Sequence, residues 1–220
     1  GDWVSAGACG NGYPAQDQDS SWHGTHVAGT IAAETNNSSG VAGVAYGAQI
    51  VPVRVLGRCG GTTADIADGI VWASGGSVPG TSPNANPAEV LNMSLGGSGT
   101  CSTATQNAIN TARNNGATVV VASGNSNDNS TNYNPGNCNG VVNVASTDRN
   151  GDRAYYSNYG SNVDVAAPGG AMQSANDPNG VLSTYNTGTS TPGSDSYGYS
   201  QGTSMAAPHV AGAAALIKAA

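Results

Sequence analysis

Residues 117–122 read Ala117-Thr118-Val119-Val120-Val121-Ala122, a β-branched run with nothing polar after Thr118. A strand wetted on one face alternates apolar and polar residues; one without alternation is covered on both. Just upstream, residues 102–115 read as a helix with Ala104, Ala108, Ile109 and Ala112 facing inward and Gly116 ending it. Just downstream, residues 141–145 form a second β-branched run. The same alternation extends outward. Strands are expected at 50–56 (IVPVRVL) and 89–94, and a small-residue helix at 23–33 that an Asn/Ser/Gly loop ends. A helix at 62–74 places Ile66, Ile70 and Ala73 on one face, with Thr62 or Thr63 as its cap. The last helix covers 203–219, with Pro208 near its first turn, where a missing N–H is best tolerated. Strands alternating with helices of this length imply an α/β fold, a mainly parallel sheet with helices on both faces and right-handed crossovers. No repeat or linker divides residues 1–220, so a single domain is expected.

Composition narrows the function. The chain has 220 residues, ample for a full core. Charged residues make up 9% of it, against roughly 25% in an average soluble domain, while glycine takes 33 positions and phenylalanine none. A coiled coil and a highly charged disordered chain are thereby excluded. The net charge is −7 and the six Lys and Arg are dispersed, which argues against nucleic acid and anionic membranes as partners. No stretch reaches the ~18 apolar residues of a membrane span. The most apolar one, 205–220, contains Pro208, His209 and Lys218. With neither an initiator Met nor a signal peptide, a processed or truncated chain is expected. Cys9, Cys59, Cys101 and Cys138 include no C-x-x-C pair, which excludes zinc-ribbon and thioredoxin readings. Their even number in a charge-poor chain favours two disulfides and an oxidising compartment; three pairings remain open.

Two segments carry chemistry. The first is His23-Gly24-Thr25-His26-Val27-Ala28-Gly29-Thr30; the second is Gly202-Thr203-Ser204-Met205-Ala206-Ala207-Pro208-His209-Val210-Ala211-Gly212. A serine at a helix mouth has backbone N–H groups and the positive helix end beside a developing oxyanion. Its hydroxyl is a poor nucleophile until a neutral imidazole removes the proton. An α/β-hydrolase esterase needs its histidine after the serine in sequence. Only His209 qualifies, and it rides the same helix, so that reading fails. His23-Gly24-Thr25-His26 lacks the i, i+4 histidines and the glutamate of a zincin. Asn-x-Ser/Thr triplets at Asn36, Asn37, Asn92 and Asn129 are expected by chance in so Asn- and Ser-rich a chain.

The two segments closely resemble the histidine and serine signatures of the subtilisin-like serine proteases, the subtilases, especially the secreted, disulfide-bearing bacterial ones. The similarity runs through most of the chain. Leu91-Asn92-Met93-Ser94-Leu95-Gly96-Gly97 resembles the family's substrate-binding strand, Ala122-Ser123-Gly124-Asn125 its oxyanion segment, and Asp164-Val165-Ala166-Ala167-Pro168-Gly169 a further family segment. The resemblance implies a subtilisin-like fold and a secreted serine endopeptidase. His23 would be the general base, Ser204 the nucleophile and Asn125 an oxyanion donor, with His26 and His209 structural. Ser94, Leu95, Gly96, Ser123 and Gly124 would flank an extended peptide that pairs with them as an added strand. An S1 pocket would lie near Tyr133 and Pro135, with a cis Asn134–Pro135 peptide and an apolar or aromatic P1 preference. The loop 35–41 resembles a subtilase calcium loop, with the Asn37 side chain and the carbonyls of Thr35, Ser39 and Val41 as calcium ligands. The disulfides implied are Cys9–Cys59 and Cys101–Cys138. Implied partners are a peptide or protein substrate and the protein's own pro-segment, and the chain is expected as a monomer.

One family feature is missing. Subtilases run Asp, His, Ser along the chain. Before His23 stand only Asp2, Asp17 and Asp19, none in an Asp-Ser/Thr-Gly setting, and Gly1-Asp2-Trp3 matches a loop in the relatives. The orienting aspartate is expected before Gly1, and the chain alone is expected to be weak or inactive. The alternative is a peptide-binding fragment that kept the groove and lost the carboxylate.

Overall fold

The computed structural model describes every residue except Gly1, Ala8 and Asn11, and Asp2–Val4 by their backbone alone. In chain order the elements are β1 (Asp2–Val4), β2 (Gln16–Gln18), α1 (His23–Ala32), α2 (Thr63–Ala73), β3 (Val90–Met93) and β4 (Gly97–Ser98). There follow α3 (Thr103–Asn114), β5 (Thr118–Ala122), β6 (Tyr133–Asn134), β7 (Val142–Thr147), β8 (Val165–Pro168), β9 (Val181–Asn186), β10 (Asp195–Ser200) and α4 (Thr203–Ala219). The central sheet has the order β3-β5-β7-β8, and every pairing in it is parallel.

Strand β5 shows why the sheet needs two covers. Val119 and Val121 point into a core shared with Ile70 and Ala73 of α2, Ala108, Ile109 and Ala112 of α3, and Leu91 and Met93 of β3. Val120 and Ala122 point the other way, against Ala206, Ala207 and Ala211 of α4 and Val144 of β7. Ile109 is fully buried, which contributes about 1.5–3 kcal/mol relative to exposure. The α/β architecture read from the sequence is therefore observed. On α3 one inward position moves: Thr105 is buried and Ala104 exposed. Ser102 caps α3 by accepting from Thr105 N, and Thr62 caps α2 by accepting from Asp65 N.

The expected strand at 50–56 does not form. Those residues run without ladder partners among the described residues, and Ile50, Val53 and Leu56 are 42%, 36% and 39% exposed. A β-branched sequence supplies propensity but no neighbour, and Pro52 removes one donor. The front segment forms an antiparallel pair instead, β1 with β2. Asp2 and Trp3 thus lie in a strand, while Gly1 lies outside the described residues. A second antiparallel pair, β9 with β10, stands apart from the central sheet and against α1.

The disulfides are Cys9–Cys59 and Cys101–Cys138, with Cα separations of 5.0 and 5.2 Å. The pairing is the one the resemblance implied. No helix is long and apolar enough to cross a membrane, as judged on the described residues.

Candidate active site

Ser204 is the second residue of α4. The chain enters that helix through Gly202 at φ 143°, a conformation L side chains rarely adopt, so the turn belongs to glycine. The opening N–H groups of a helix have no acceptor of their own. Two are accounted for: Met205 N donates to Gly202 O at 2.9 Å, and Thr203 N donates to Asn125 Oδ1 at 2.8 Å, with Thr203 Oγ1 donating to the same atom at 2.9 Å. Because a backbone N–H can only donate, the accepting atom must be the amide oxygen, which leaves Nδ2 of Asn125 out of these bonds. Neither Asn125 Nδ2 nor Ser204 N has an acceptor among the described residues. A methyl group built on Gly202 would lie 3.6 Å from each of them and 3.7 Å from Asn125 Oδ1, and both residues line the same cleft. That is the arrangement an oxyanion needs.

Ser204 is tied to Ser94 twice. Ser204 Oγ donates to the Ser94 carbonyl at 3.3 Å, and Ser94 Oγ donates to the Ser204 carbonyl at 2.7 Å. The second bond has a cause four residues on. In a helix the Ser204 carbonyl would accept from residue 208, but that residue is Pro208 and has no N–H. Ser94 Oγ takes the vacant lone pair, and Asn92 Nδ2 donates to Ser94 Oγ at 2.9 Å.

His23 heads α1, which packs against α4. Its ring is exposed on one side, yet the surrounding protein lowers its pKa below the usual 6.5 by desolvation. Neutral imidazole, the form a base requires, is thereby favoured. Among the described residues no hydrogen bond joins His23 to Ser204 or to a carboxylate. His26, one turn on, is fully buried and also shifted downward by desolvation. His209 Nδ1 donates to Met205 O at 2.8 Å, and the ring is shifted in the same direction by burial.

A cleft of about 460 Å³ opens beside Ser204. Leu95 and Gly96 line one wall, Ser123 and Gly124 the other, with Tyr133 and Asn134 at the end. Strands β4 and β6 pair antiparallel and join the first wall to that end. The walls differ in what they offer a peptide. Ser123 N already donates to Val144 O, and Gly124 N to Thr203 Oγ1, whereas Leu95 and Gly96 keep their N–H groups uncommitted among the described residues. Ser94 lies outside the lining, bonded to Ser204, and Pro135 is buried behind it in a cis Asn134–Pro135 peptide.

Two residues not singled out from the sequence shape this site. Thr203 orients the Asn125 amide. Asn158, fully buried, donates to Ser123 O at 2.9 Å and accepts from Ser126 N at 2.9 Å and Asp128 N at 3.2 Å. Its side chain fills the space a Cβ at Gly124 would take. A buried Asn within a polar run leaves no periodic signal; only its hydrogen-bond demand reveals it.

In loop 35–41, Asn37 Oδ1 accepts from Ser39 N at 3.0 Å, and Ser39 Oγ meets Tyr197 Oη at 3.2 Å. The carbonyls of Thr35, Ser39 and Val41 accept no hydrogen bond among the described residues. These residues contain no cluster of three His, Cys, Asp or Glu side chains suited to a metal.

Residues 3–220 match the model of the subtilase family, Peptidase S8. The chain belongs to the subtilase family. Among curated subtilase relatives, an extracellular protease of Xanthomonas campestris is 60% identical over 99% of this chain and 36% of its own length. An extracellular basic protease of Dichelobacter nodosus is 51% identical over 99% of this chain and 35% of its own length. The chain thus spans about a third of these relatives. A solved protease from Pseudoalteromonas arctica superposes with a TM-score of 0.94 at 76% identity, covering 100% of this chain and 64% of that one.

Proposed function

We propose that this chain carries most of the catalytic machinery of a secreted serine endopeptidase. The observation that carries the reading is that Asn125 and Ser204 line one peptide-sized cleft, with Asn125 Nδ2 and Ser204 N both unengaged among the described residues. His23, kept neutral by its surroundings, takes the proton as Ser204 Oγ attacks the scissile carbonyl. The carbonyl oxygen becomes an oxyanion held by the two donors. Collapse expels the amine, which receives the proton from His23 and leaves an acyl group on Ser204. Water, deprotonated by the same imidazole, then hydrolyses the acyl-enzyme. In the resting site the Ser204 hydroxyl rests on Ser94 O and must turn to His23 for attack.

Desolvation is the cause of the His23 shift, with no carboxylate opposing it. A peptide substrate lies along Leu95 and Gly96, whose N–H groups are free to pair with it, and its P1 side chain enters between the two walls. An apolar or aromatic P1 residue suits a cleft without a charged lining residue. The protein's own pro-segment would bind there before maturation. Export is supported by the two disulfides and by relatives named extracellular.

Calcium fits loop 35–41 in the kind of donor it offers. Asn37 Oδ1 and the carbonyls of Thr35, Ser39 and Val41 are hard, neutral oxygens, and they would hold the ion with further ligands from elsewhere, since calcium takes six to eight. The ion would stiffen the loop and take no part in the chemistry. Asn37→Ala should weaken calcium binding measured by calorimetry; unchanged affinity removes Asn37 from the ligand set.

Labelling with a serine-directed phosphonate tests the catalytic reading. Ser204 should be modified and Ser204→Ala should not. Absence of label on the wild-type chain under conditions that label a subtilisin would favour a groove that binds peptides without cleaving them.

A further inference from the structure

We propose that the β9–β10 hairpin positions the general base through His26, so that His26 is a positioning residue for His23; this rests on the catalytic roles given above. His26 follows His23 by three residues on α1, which places the two on one face of the helix. Its imidazole is fully buried and reaches out of the helix into the hairpin. Nε2 lies 2.9 Å from Val181 O on β9 and 3.1 Å from Gly198 O on β10. Both partners are carbonyl oxygens, so Nε2 carries the hydrogen and one N–H is shared between the two strands. Nδ1 is buried with no partner, so the ring is held through Nε2 alone.

The hairpin grips the same turn of α1 from its own side. Ser183 Oγ donates to His26 O at 2.7 Å, and Thr184 Oγ1 donates to Thr25 O at 2.8 Å. A Cβ at Gly29 would collide with both hydroxyls, so helix and hairpin are in direct contact there. At the entry to the helix Trp22 Nε1 donates to Gly188 O at 2.6 Å, and Ser20 N donates to Thr189 O at 2.7 Å, both acceptors lying between β9 and β10. Strand β10 ends at Ser200, and α4 begins at Thr203. One ribbon therefore bonds to the helix that starts with the base and runs directly into the helix that carries the nucleophile. It sets the two side chains in register, which neither the central sheet nor the α1–α4 packing does with directional bonds.

His26→Met retains the bulk and loses the donor, whereas His26→Gln places an amide N–H where Nε2 was. Phosphonylation of Ser204 is measured in both, with amide hydrogen exchange at residues 25–28. In H26M the maximal labelling rate should fall about tenfold with the half-saturating phosphonate concentration unchanged, since small misplacements of a catalytic group are costly. Exchange in the first turn of α1 should rise in H26M. H26Q should restore both to within about twofold of wild type, an order suited to one recovered hydrogen bond. Wild-type behaviour of folded H26M in both measurements overturns the proposal, as does equal impairment of H26M and H26Q. If the wild-type chain takes no label, the hydrolase reading falls while the exchange comparison still decides the clamp. Should H26M fail to fold, Thr184→Val carries the test from the half-buried side of the contact: labelling about threefold slower supports the clamp, and an unchanged rate overturns it.

Discussion

Ser204 and His23 each stand near the head of a helix, and the two helices are held by different forces. Helix α4 lies on the central sheet, with Met205, Ala206 and Ala207 at 2%, 0% and 0% exposure, so dispersion and apolar burial hold its body, and bonds to Asn125 and Ser94 hold its first two residues. Helix α1 is shorter, and its first turn is fixed against the hairpin by hydrogen bonds from Thr184, Ser183 and His26. Apolar packing is spread over many atoms and tolerates the loss of one. A few directional bonds give sharper placement and fail individually. The nucleophile is thus placed by bulk packing of its helix together with bonds from Ser94 and Asn125, and the base chiefly by directional contacts with the hairpin.

That contrast can be probed from its largest expected effect downward. Asn125→Ala should slow turnover of a peptide ester by about 10²–10³-fold with KM little changed, the order known for removing this kind of donor from a subtilisin. A loss under threefold would mean that Ser204 N alone holds the oxyanion. Ile109→Ala, in the core behind β5, should lower unfolding stability in urea by about 2–5 kcal/mol while the labelling chemistry of the folded fraction persists. A folded variant that no longer labels would show that the nucleophile is not buffered by bulk packing. Thr203→Val strips one donor from Asn125 and the acceptor from Gly124 N, and should cost about 1–3 kcal/mol together with a several-fold loss of rate. Stability without any change of rate would show that the backbone N–H of Thr203 suffices to orient the amide.

The smallest effect is on pH dependence. His23, His26 and His209 all have pKa values below the ordinary 6.5, with desolvation the leading cause in each. The unfolded chain therefore binds more protons than the folded one as pH falls below about 6.5. Stability should be full above that value and decline below it, ending its decline once the folded-state values are passed. The acid limb of labelling should likewise lie below 6.5. A thermal midpoint independent of pH between 7 and 5 would contradict the shifts.

Reading the sequence succeeded where residue pattern and tertiary setting agree. Val119, Val120 and Val121 are apolar because both faces are covered, and Thr62 caps its helix through a bond to backbone three residues away. Residues 50–56 have the same β-branched character as β5 but no ladder partner among the described residues, a fact that no local pattern encodes. The β9–β10 pair escaped notice for the opposite reason. Val181–Asn186 and Asp195–Ser200 are rich in Ser, Thr, Tyr and Gly and carry no apolar run that signals a strand, yet their hydroxyls and carbonyls are what α1 binds. The candidate site was legible through its two signatures. Thr203 and Asn158 were not, because their work is to satisfy neighbours brought near only by folding.

Pro208 has a consequence for anyone redesigning the cleft. By withholding an N–H it leaves the Ser204 carbonyl dependent on a hydroxyl from another segment, and position 94 must therefore present a short protic side chain. A bulky residue introduced there to reshape substrate choice would strand that oxygen. Replacing Pro208 with alanine would give the oxygen a donor within its own helix. The two positions are best altered together, the second substitution relieving what the first disturbs.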